Sequence, residues 1–545
     1  MEYIIVILVC CILPLSILIK PIYKFIKNKE NIKEFFLKNK YEIVLVFILI
    51  VGSLARLYNI GIMPNALNAD EASSGYEAYS IMKYGIDRAG NSYPVYLYAW
   101  GSGQNALYSY FLIPFVQLLG LTIFSTRLPM ALIGIMSLYV FYYLLKSIFD
   151  NKKMAMAGIL FFAICPWHIM KSRWGLESNL FPDLILLACL LLVLGLKKKN
   201  NILQVLSFVV IGISSYSYAT SYLFLPIFVI LLLIYLIIHK EISIKKAIIY
   251  LGIVFIISLP LILYVIVNTF DLNQFSICGI TIPKLKVNRY EEASTIFSGN
   301  ILENCIDNLL STIRLLLVQN DKLYWNSLPN HGLFYFVSIP FLFIGIYVSV
   351  KKFRKNKYNQ VMNIWMISSI ILSMFCIINI NRINIIMIPC IYYIILGLYN
   401  TINKYKMTIP ILIIIYTICF VVFENDYWSQ DFNKYLTFTS GLEEVSEYCE
   451  NSDAEEIYCY YSFKEPYIYF LFYDKKDVNE YVESVQYFYE NGTFDNVESF
   501  GEYRFYLPDE VEEHTIVIVP KGKELDYDLE VKNKINVNQF DIYEY

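Results

Sequence analysis

The segment "NALNADEASSGYEAYSIMKYG", residues 65–85, places two adjacent carboxylates, Asp70 and Glu71, just after a long apolar stretch. That stretch, residues 42–60, is long and apolar enough to cross a bilayer as a helix. A charged side chain costs about 2.5–3.5 kcal/mol at the centre of a membrane helix, so the acidic pair marks the end of a span. The side of the membrane on which the span ends decides what the pair can do.

The composition is typical of a polytopic membrane protein. Hydrophobic residues make up 57% of the 545 residues and charged residues 17%, whereas ordinary globular domains contain roughly 25% charged residues. Of the 47 acidic residues, 29 lie in residues 424–545. We therefore predict a membrane domain over residues 1–423 and an acidic, water-exposed domain over residues 424–545.

Twelve apolar stretches are predicted to be membrane-spanning helices of an all-α domain. They are residues 3–19, 42–60, 128–147, 154–170, 180–196, 202–218, 220–238, 247–267, 333–350, 361–379, 383–400 and 407–423. The first is interpreted as a retained anchor, because it lacks the basic start and the small-residue cleavage site of a signal peptide.

Short loops rich in Lys and Arg alternate with loops that are poor in them, and such basic loops stay in the cytoplasm. The alternation predicts that the following segments lie outside: 61–127, 171–179, 268–332, 380–382 and 424–545. Residues 103–121 are also apolar, but a span there would invert the pattern for every later loop. We predict an interfacial helix at this position. The alternative is that residues 103–121 do cross the membrane and that the list of predicted spans is wrong elsewhere. The acidic pair is thus predicted to be extracytoplasmic.

Arginine is rare in the predicted outer loops. Five basic residues lie at the ends of spans: Arg56, Arg127, Lys171, Arg173 and Arg382. Guanidinium groups suit phosphate because their planar fork donates two hydrogen bonds at once. Anchoring to lipid headgroups is the alternative, above all for Arg127 and for Arg56 at the end of the second span. These residues predict an anion-binding site at the outer boundary.

The acidic tail is predicted to be a small α/β domain. The segments "EEIYCYY" and "HTIVIVP" are rich in β-branched and aromatic residues and predict strands, whereas "EPYIYFLFY" predicts a strand or a short helix. About 120 residues are enough for one small core.

The eleven cysteines and four histidines show no metal-ligand spacing. Four cysteines in hydrophilic segments could form disulfides in an oxidising space: Cys278, Cys305, Cys449 and Cys459. No cofactor is required by the pattern, and no nucleic acid partner is expected. Asp70 and Glu71 could bind a divalent metal, although no ligand spacing demands one.

Several motifs, in this order along the chain, resemble glycosyltransferase family 39, which has the GT-C fold and includes protein O-mannosyltransferases and aminoarabinose transferases. They are the acidic pair in the first large outer loop, the interfacial helix, "RLP-A--G" from Arg127, the turn "PWHI--SR" from Pro166 and a late outer arginine. The resemblance covers roughly residues 42–400. Residues 65–104 are more closely similar to uncharacterised Gram-positive members.

The resemblance implies a polyprenyl-phosphate sugar as donor and an inverting transfer to an extracytoplasmic acceptor hydroxyl on a glycan, lipid or protein. It implies that Asp70 is the general base, which agrees with the need to remove the proton of an attacking hydroxyl. Glu71 would tune Asp70 or orient the acceptor. Basic residues would bind the donor phosphate and stabilise the leaving group: Arg382, Arg173, Arg127 and Lys171.

The chain also departs from the family pattern. Members with protein or lipid A acceptors usually read "HPPL" before the interfacial helix, where this chain reads "WGSGQNALYSY", so the acceptor class stays open. Many members carry an aspartate where this chain has Ser178; Glu177 either replaces that aspartate or is an ordinary loop carboxylate. Further candidate acceptor contacts are Tyr76, Trp100 and Gln104. For the aromatic residues, an interfacial belt is the alternative.

Two other classes of function are alternatives. A polysaccharide polymerase or ligase that uses lipid-linked glycans is the closer alternative, but it leaves the acidic pair without an obvious role. A transporter is expected to have charged or broken helices near the bilayer centre and two related halves, and the sequence shows neither. We therefore favour a multi-pass glycosyltransferase of the cell membrane with its catalytic site and C-terminal domain outside.

Overall fold

The computed structural model describes residues 2–29, 31–100, 103–286, 300–434, 438–460, 465–488 and 496–545. The chain divides into two compact units. The first comprises residues 1–60, 130–259 and 291–429, and the second comprises residues 61–129, 260–290 and 430–545.

The helices, in chain order, are α1 (Glu2–Asn28), α2 (Ile32–Lys38), α3 (Lys40–Leu57), α4 (Ala69–Tyr84), α5 (Leu107–Leu119), α6 (Ile123–Phe149), α7 (Lys152–Ile164), α8 (Pro166–Lys171), α9 (Glu177–Lys197), α10 (Asn201–Ser214), α11 (Ser221–Ile238), α12 (Ile244–Thr269), α13 (Ile301–Val318), α14 (Ile339–Lys351), α15 (Lys357–Ser373), α16 (Ile380–Lys404), α17 (Thr408–Trp428), α18 (Leu442–Glu450), α19 (Tyr467–Tyr473) and α20 (Val478–Ser484).

The strands are β1 (Leu67–Asn68), β2 (Tyr96–Leu97), β3 (Gln104–Asn105), β4 (Phe275–Ile277), β5 (Ile280–Ile282), β6 (Phe438–Thr439), β7 (Glu456–Cys459), β8 (Gln486–Phe488), β9 (Asn496–Phe500), β10 (Tyr503–Arg504), β11 (Thr515–Pro520), β12 (Asn533–Val537) and β13 (Phe540–Glu544).

Helices occur at all twelve predicted apolar stretches. Among the described residues, seven are long and apolar enough to cross a membrane: α1, α6, α9, α11, α12, α16 and α17. The helical, multi-pass class predicted from the sequence is confirmed, whereas the number of twelve crossings stays a prediction. Helix α5 has 13 residues and contains Pro114, so it is shorter than the roughly 20 residues that a span needs. Its length fits the predicted interfacial helix.

One predicted span is split in two. Residues 154–170 were expected to form one helix, but α7 ends at Ile164 and α8 begins at Pro166. Between them Cys165 is extended, with φ −69° and ψ 121°. A proline disfavours the helical conformation of the residue before it and cannot donate a backbone hydrogen bond. The break leaves a separate short helix that ends at Lys171.

The C-terminal residues form the predicted α/β fold. In the part of the chain that the structure describes, seven strands make one mixed sheet in the order β12–β13–β11–β7–β10–β9–β8. Strand β7 is parallel to both β10 and β11, and the other pairs are antiparallel. Both predicted strands are confirmed as β7 and β11, and "EPYIYFLFY" forms helix α19. The sheet core includes the buried residues Ile457, Ile516, Ile518 and Ile542.

The two compact units do not meet at residue 424, where the sequence predicts a domain boundary. Within the second unit, β1 pairs with β6 in antiparallel register, with Leu67 opposite Thr439. The Tyr469 hydroxyl of α19 donates to the Leu67 carbonyl at 3.3 Å. An added Cβ at Gly75 of α4 would lie 2.7 Å from the Phe472 ring of α19. The first outer loop therefore packs against β6 and α19 of the C-terminal residues, through contacts between distant residues that local sequence patterns do not report.

All eleven cysteines lie in the described residues, and all are free. The pairing considered for Cys278, Cys305, Cys449 and Cys459 is therefore not formed in the structure. Cys449 and Cys459 are buried in the second unit, where a thiol behaves as a small apolar group.

Candidate active site

The acidic pair lies in the first turn of α4, which Asn68 caps. The Asn68 side chain accepts the Asp70 N–H at 2.8 Å, and the Glu71 carboxylate accepts the Asn68 N–H at 3.1 Å. This reciprocal arrangement is a capping box, and the helix dipole favours negative charge at this end. Asn68 therefore provides the N-cap of α4.

Glu71 is fully buried and paired with Arg127. The Arg127 Nε lies 2.8 Å from Glu71 Oε1, and its Nη2 lies 2.9 Å from Oε2. The same guanidinium donates to the carbonyls of Pro64 and Ala66 at 2.8 and 2.6 Å. Both side chains have 0% exposure. Because a buried charge needs a partner with good geometry, this pair fixes the start of α4, and Arg127 is not exposed for the phosphate contact expected from sequence.

Asp70 has a different environment although it is the next residue. Its side chain is partly exposed, and the indole Nε1 of Trp100 donates to its Oδ1 at 3.2 Å. Trp100 lies in the left-handed region, with φ 55°, which is uncommon for a bulky side chain. The two adjacent carboxylates are thus separated into one buried ion pair and one accessible group with an indole donor.

A buried arginine lies behind Trp100. The Arg88 guanidinium lies 4.9 Å from the centre of the Trp100 ring, within the range of a cation–π contact. Arg88 pairs with Glu77 at 3.1 Å and donates to the Ser73 hydroxyl at 2.9 Å. Burial raises the pKa of Glu77, while Arg88 opposes that shift. The chain of contacts runs from Glu77 through Arg88 and Trp100 to Asp70.

Sequence reasoning missed Glu77 and Arg88. A signal was present, because Glu77 follows Asp70 by two helical turns and therefore lies on the same side of α4. No local pattern indicates that Arg88, beyond the end of the helix, turns back to pair with it.

Gln104 and Tyr76 contact the protein itself. The Gln104 amide accepts from Ser73 at 2.9 Å and donates to Ser74 at 3.0 Å. Since Gln104 lies in the β2–β3 hairpin, these bonds hold the loop of Trp100 against α4. The Tyr76 hydroxyl donates to the Lys476 carbonyl at 3.0 Å, and the residue is 0% exposed. Of the three candidate acceptor contacts, Trp100 is the one that reaches Asp70.

The remaining predicted cations belong to the first unit. Lys171 is buried, pairs with Asp183 and donates to the Asn179 carbonyl at 3.1 Å. Arg173 is also buried and donates to the carbonyls of Ala55 and Tyr58 at 3.0 and 2.9 Å. Both cations are therefore held inside the unit by protein groups, and their predicted contact with a donor phosphate stays a prediction.

Arg382 is more accessible than Lys171 and Arg173. It is partly exposed in the first turn of α16, and its Nη1 donates to the Ile377 carbonyl at 3.3 Å. The turn is held by side chains that accept backbone N–H groups: Asn379 accepts from Arg382 at 2.8 Å, and Asp321 accepts from Ile380 at 2.9 Å. A rigid turn thus presents the guanidinium at the end of a membrane helix.

Glu177 begins the first turn of α9 and is 9% exposed. The first turns of α9 also contain Asp183, which the sequence analysis missed. Asp183 contacts Lys171 and lies 3.4 Å from His168 Nε2. His168 Nδ1 in turn accepts from Arg56 Nε at 3.1 Å. A carboxylate within a predicted span was the available signal. Arg56 is fully buried in this network, so it is not a headgroup anchor.

The described residues contain no group of three or more His, Cys, Asp or Glu side chains that could hold a metal ion. Asp70 and Glu71 do not form a paired carboxylate site, because both oxygens of Glu71 are bonded to Arg127.

Comparison with known proteins adds to this geometry. Residues 105–266 match the family model described as dolichyl-phosphate-mannose-protein mannosyltransferase. No curated protein sequence matches the chain.

The fold is similar to that of solved membrane proteins. ArnT from Cupriavidus metallidurans, bound to undecaprenyl phosphate, has a TM-score of 0.55 at 10% identity, over 92% of this chain and 97% of that one. The apo oligosaccharyltransferase of Archaeoglobus fulgidus has a TM-score of 0.52 at 13% identity, over 81% of this chain and 64% of that one. AglB from the same organism, in complex with an inhibitory peptide and a dolichol-phosphate, has a TM-score of 0.50 at 13% identity, over 76% of this chain and 58% of that one.

The chain thus spans less than two thirds of the two archaeal proteins and nearly the whole length of ArnT. Identities of 10–13% show a shared fold and do not transfer an activity. The resemblance drawn from the sequence is confirmed: the chain is a multi-pass membrane protein with the GT-C fold, and its residues 105–266 match the dolichyl-phosphate-mannose-protein mannosyltransferase family.

Proposed function

We propose that the chain is a membrane glycosyltransferase that transfers a sugar from a polyprenyl-phosphate donor to a hydroxyl of an extracytoplasmic acceptor. The observation that carries the proposal is the separation of the two carboxylates, since Glu71 is buried against Arg127 and Asp70 is partly exposed beside the Trp100 indole. An accessible carboxylate on a rigid helix start has the properties of a general base.

In the proposed reaction, the acceptor oxygen attacks the anomeric carbon while Asp70 accepts the hydroxyl proton. The bond between the anomeric carbon and the phosphate oxygen breaks, and its electrons go to the leaving polyprenyl phosphate. Attack opposite the leaving group inverts the configuration of the anomeric carbon. Cationic side chains stabilise the charge that develops on the phosphate, and Arg382 is proposed for this role because it is accessible in a fixed turn.

The donor class is supported by the fold neighbours. The ArnT structure contains undecaprenyl phosphate, and the AglB structure contains a dolichol-phosphate. The reaction is proposed to take place outside the cytoplasm because the loops at the opposite ends of the spans, away from the ends that carry Asp70 and Arg382, are basic. Basic loops are retained in the cytoplasm.

The test is the release of free polyprenyl phosphate by the purified full-length protein. A panel of polyprenyl-phosphate sugars is supplied with cell-wall extract as acceptor, and wild type is compared with Asp70→Asn. A general base contributes about 10²–10⁴-fold, so Asp70→Asn is expected to lower release by that factor. Asp509→Asn is the matched control, because Asp509 is exposed on the C-terminal domain.

Equal release by wild type and Asp70→Asn would contradict the assignment of the base. No release with any donor by folded wild-type protein would contradict the donor class and favour a polymerase or ligase that uses pyrophosphate-linked glycans.

A further inference from the structure

An open groove of about 960 Å³ lies in the first unit between α13, α14, α15 and α16. Helices α14 and α15 follow each other in the chain, and residues of both line the groove. Helix α14 packs instead on α16, where an added Cβ at Gly345 would lie 1.7 Å from the Tyr393 carbonyl oxygen. Cys390 and Tyr393 of α16 form the floor of the groove.

The groove has the length of one membrane leaflet. Helix α14 lines it from Leu342 to Lys351, and helix α15 lines it from Gln360 to Ile370. At 1.5 Å per residue these stretches are about 14–15 Å long, half of a hydrocarbon core of about 30 Å. Helix α13 contributes apolar residues as well, including Ile313. A single acyl chain of a phospholipid has a matching length, whereas a long polyprenyl chain does not.

The two ends of the groove differ in charge. Along most of its length the lining is apolar, with Ile346 and Ile367 38% and 49% exposed. At one end it is lined by Lys351 and Arg354, both exposed. Among the described residues that line the groove, none is acidic. An apolar channel that ends in two cations is complementary to a lipid with an anionic headgroup.

The cationic end is held in place by hydrogen bonds. The Gln360 side chain donates to the Arg354 carbonyl at 2.9 Å, and the Asn363 side chain donates to Gln360 at 2.8 Å. The Phe353 N–H donates to the Val348 carbonyl at 3.2 Å. The loop after α14 therefore keeps Arg354 beside the groove without help from a ligand.

Neighbouring basic residues are engaged elsewhere. Lys352 donates to Asn400 at 2.6 Å, and Lys357 pairs with Glu241 at 2.8 Å. Neither Lys352 nor the exposed Lys355 lines the groove. Segment 351–357 thus contains two groove residues, Lys351 and Arg354, and two exposed lysines outside the groove, Lys352 and Lys355, that serve as matched controls.

We propose that this groove binds one anionic phospholipid, with an acyl chain between α14 and α15 and the phosphate at Lys351 and Arg354. The occupant differs from the proposed donor lipid. Helix α15 runs from Lys357 near this end to Ser373, and Arg382 follows that distal end. The phosphate that Arg382 is proposed to bind would therefore lie at the other end of these helices. The inference does not depend on the proposed function.

The test is native mass spectrometry of the full-length protein in detergent, with equimolar phosphatidylglycerol and phosphatidylcholine of the same acyl chains. Wild type is expected to retain phosphatidylglycerol preferentially. The double variant Lys351→Ala/Arg354→Ala is expected to bind it roughly 25-fold more weakly, since each basic residue near a membrane surface contributes roughly fivefold. The double variant Lys352→Ala/Lys355→Ala removes the same charge from the same loop and is expected to bind nearly as well as wild type.

A second variant tests the apolar part of the groove. Ile367→Trp fills the groove and leaves every charge in place, so it is expected to abolish retention of phosphatidylglycerol. Three outcomes would each overturn the proposal: equal retention of the two lipids by wild type, equal loss in both double variants, or displacement of phosphatidylglycerol by equimolar polyprenyl phosphate.

Discussion

The Trp100 indole donates a hydrogen bond of 3.2 Å to Asp70, and its ring lies 4.9 Å from the Arg88 guanidinium. Trp100 thus connects a buried cation, itself paired with Glu77, to a carboxylate that is partly exposed. The left-handed backbone of Trp100 costs about 1–3 kcal/mol and is held by these contacts. Trp100 thus orients the proposed base through a neutral indole donor.

Trp100→Phe removes the indole N–H and keeps an aromatic ring. Hydrogen bonds to charged groups contribute about 1.5–3 kcal/mol, so we expect the turnover rate for polyprenyl phosphate release to fall about 10- to 100-fold. The measurement is kcat and KM for the donor. Tyr527→Phe is the control, because it also removes one hydrogen-bond donor and keeps the ring, and the Tyr527 hydroxyl donates to the Pro508 carbonyl. A wild-type kcat in Trp100→Phe would show that this bond does not orient the base.

Glu71→Gln leaves the Arg127 guanidinium buried without a carboxylate. Loss of one partner of a buried ion pair costs about 3–5 kcal/mol, so the thermal unfolding midpoint of the full-length protein in detergent should fall clearly. Replacing both residues, as in Glu71→Gln/Arg127→Met, should recover part of that loss, because no buried charge is left unpaired. Equal stability of Glu71→Gln and wild type would contradict a structural role for the pair.

Arg382→Gln tests the proposed contact with the donor phosphate. Removing a cation that stabilises a leaving phosphate should lower polyprenyl phosphate release about 100- to 1,000-fold, while the unfolding midpoint should change little because the side chain is partly exposed. Arg314→Gln on α13 is the matched control, since Arg314 is exposed. Similar activities of the two variants would remove Arg382 from the proposed mechanism.

The second unit contains a buried carboxyl group, that of Asp474, whose titration should change the stability of the protein with pH. Burial raises the pKa of Asp474 from 3.8 to about 6, although Ser446 and Tyr503 donate hydrogen bonds to it. The folded state therefore binds this proton more tightly than the unfolded state, so the contribution of Asp474 to stability is fully present below about pH 4 and is lost as the pH rises through about 6. The shift corresponds to about 3 kcal/mol.

The measurement compares the unfolding midpoints of wild type and Asp474→Asn between pH 4 and pH 7.5. Wild type should lose stability relative to Asp474→Asn over this range, because asparagine does not titrate. Parallel curves would show that the Asp474 carboxyl does not couple to folding.

Local patterns were sufficient for most of the helical part of the fold. Apolar stretches of span length predicted the membrane helices, because the bilayer requires long helices with few charges. The same reasoning failed at residues 154–170, where Pro166 ends the helix. Asp70 and Glu71 stand out in the sequence because a carboxylate at the end of a span is costly, whereas the choice of Asp70 as base rests on the family resemblance and stays a prediction.

The sequence by itself determined the membrane class, the helix positions and the strands β7 and β11, since each follows from residues close together in the chain. The role of Asp70 as base is implied by the family resemblance and stays a prediction. Only the tertiary structure decided that Glu71 pairs with Arg127, 56 residues away, and that Arg88 packs on Trp100. It also decided that the first outer loop pairs with the C-terminal residues through β1 and β6. The physical reason is that burial and partner choice depend on long-range packing, which assigns neighbouring carboxylates to different environments.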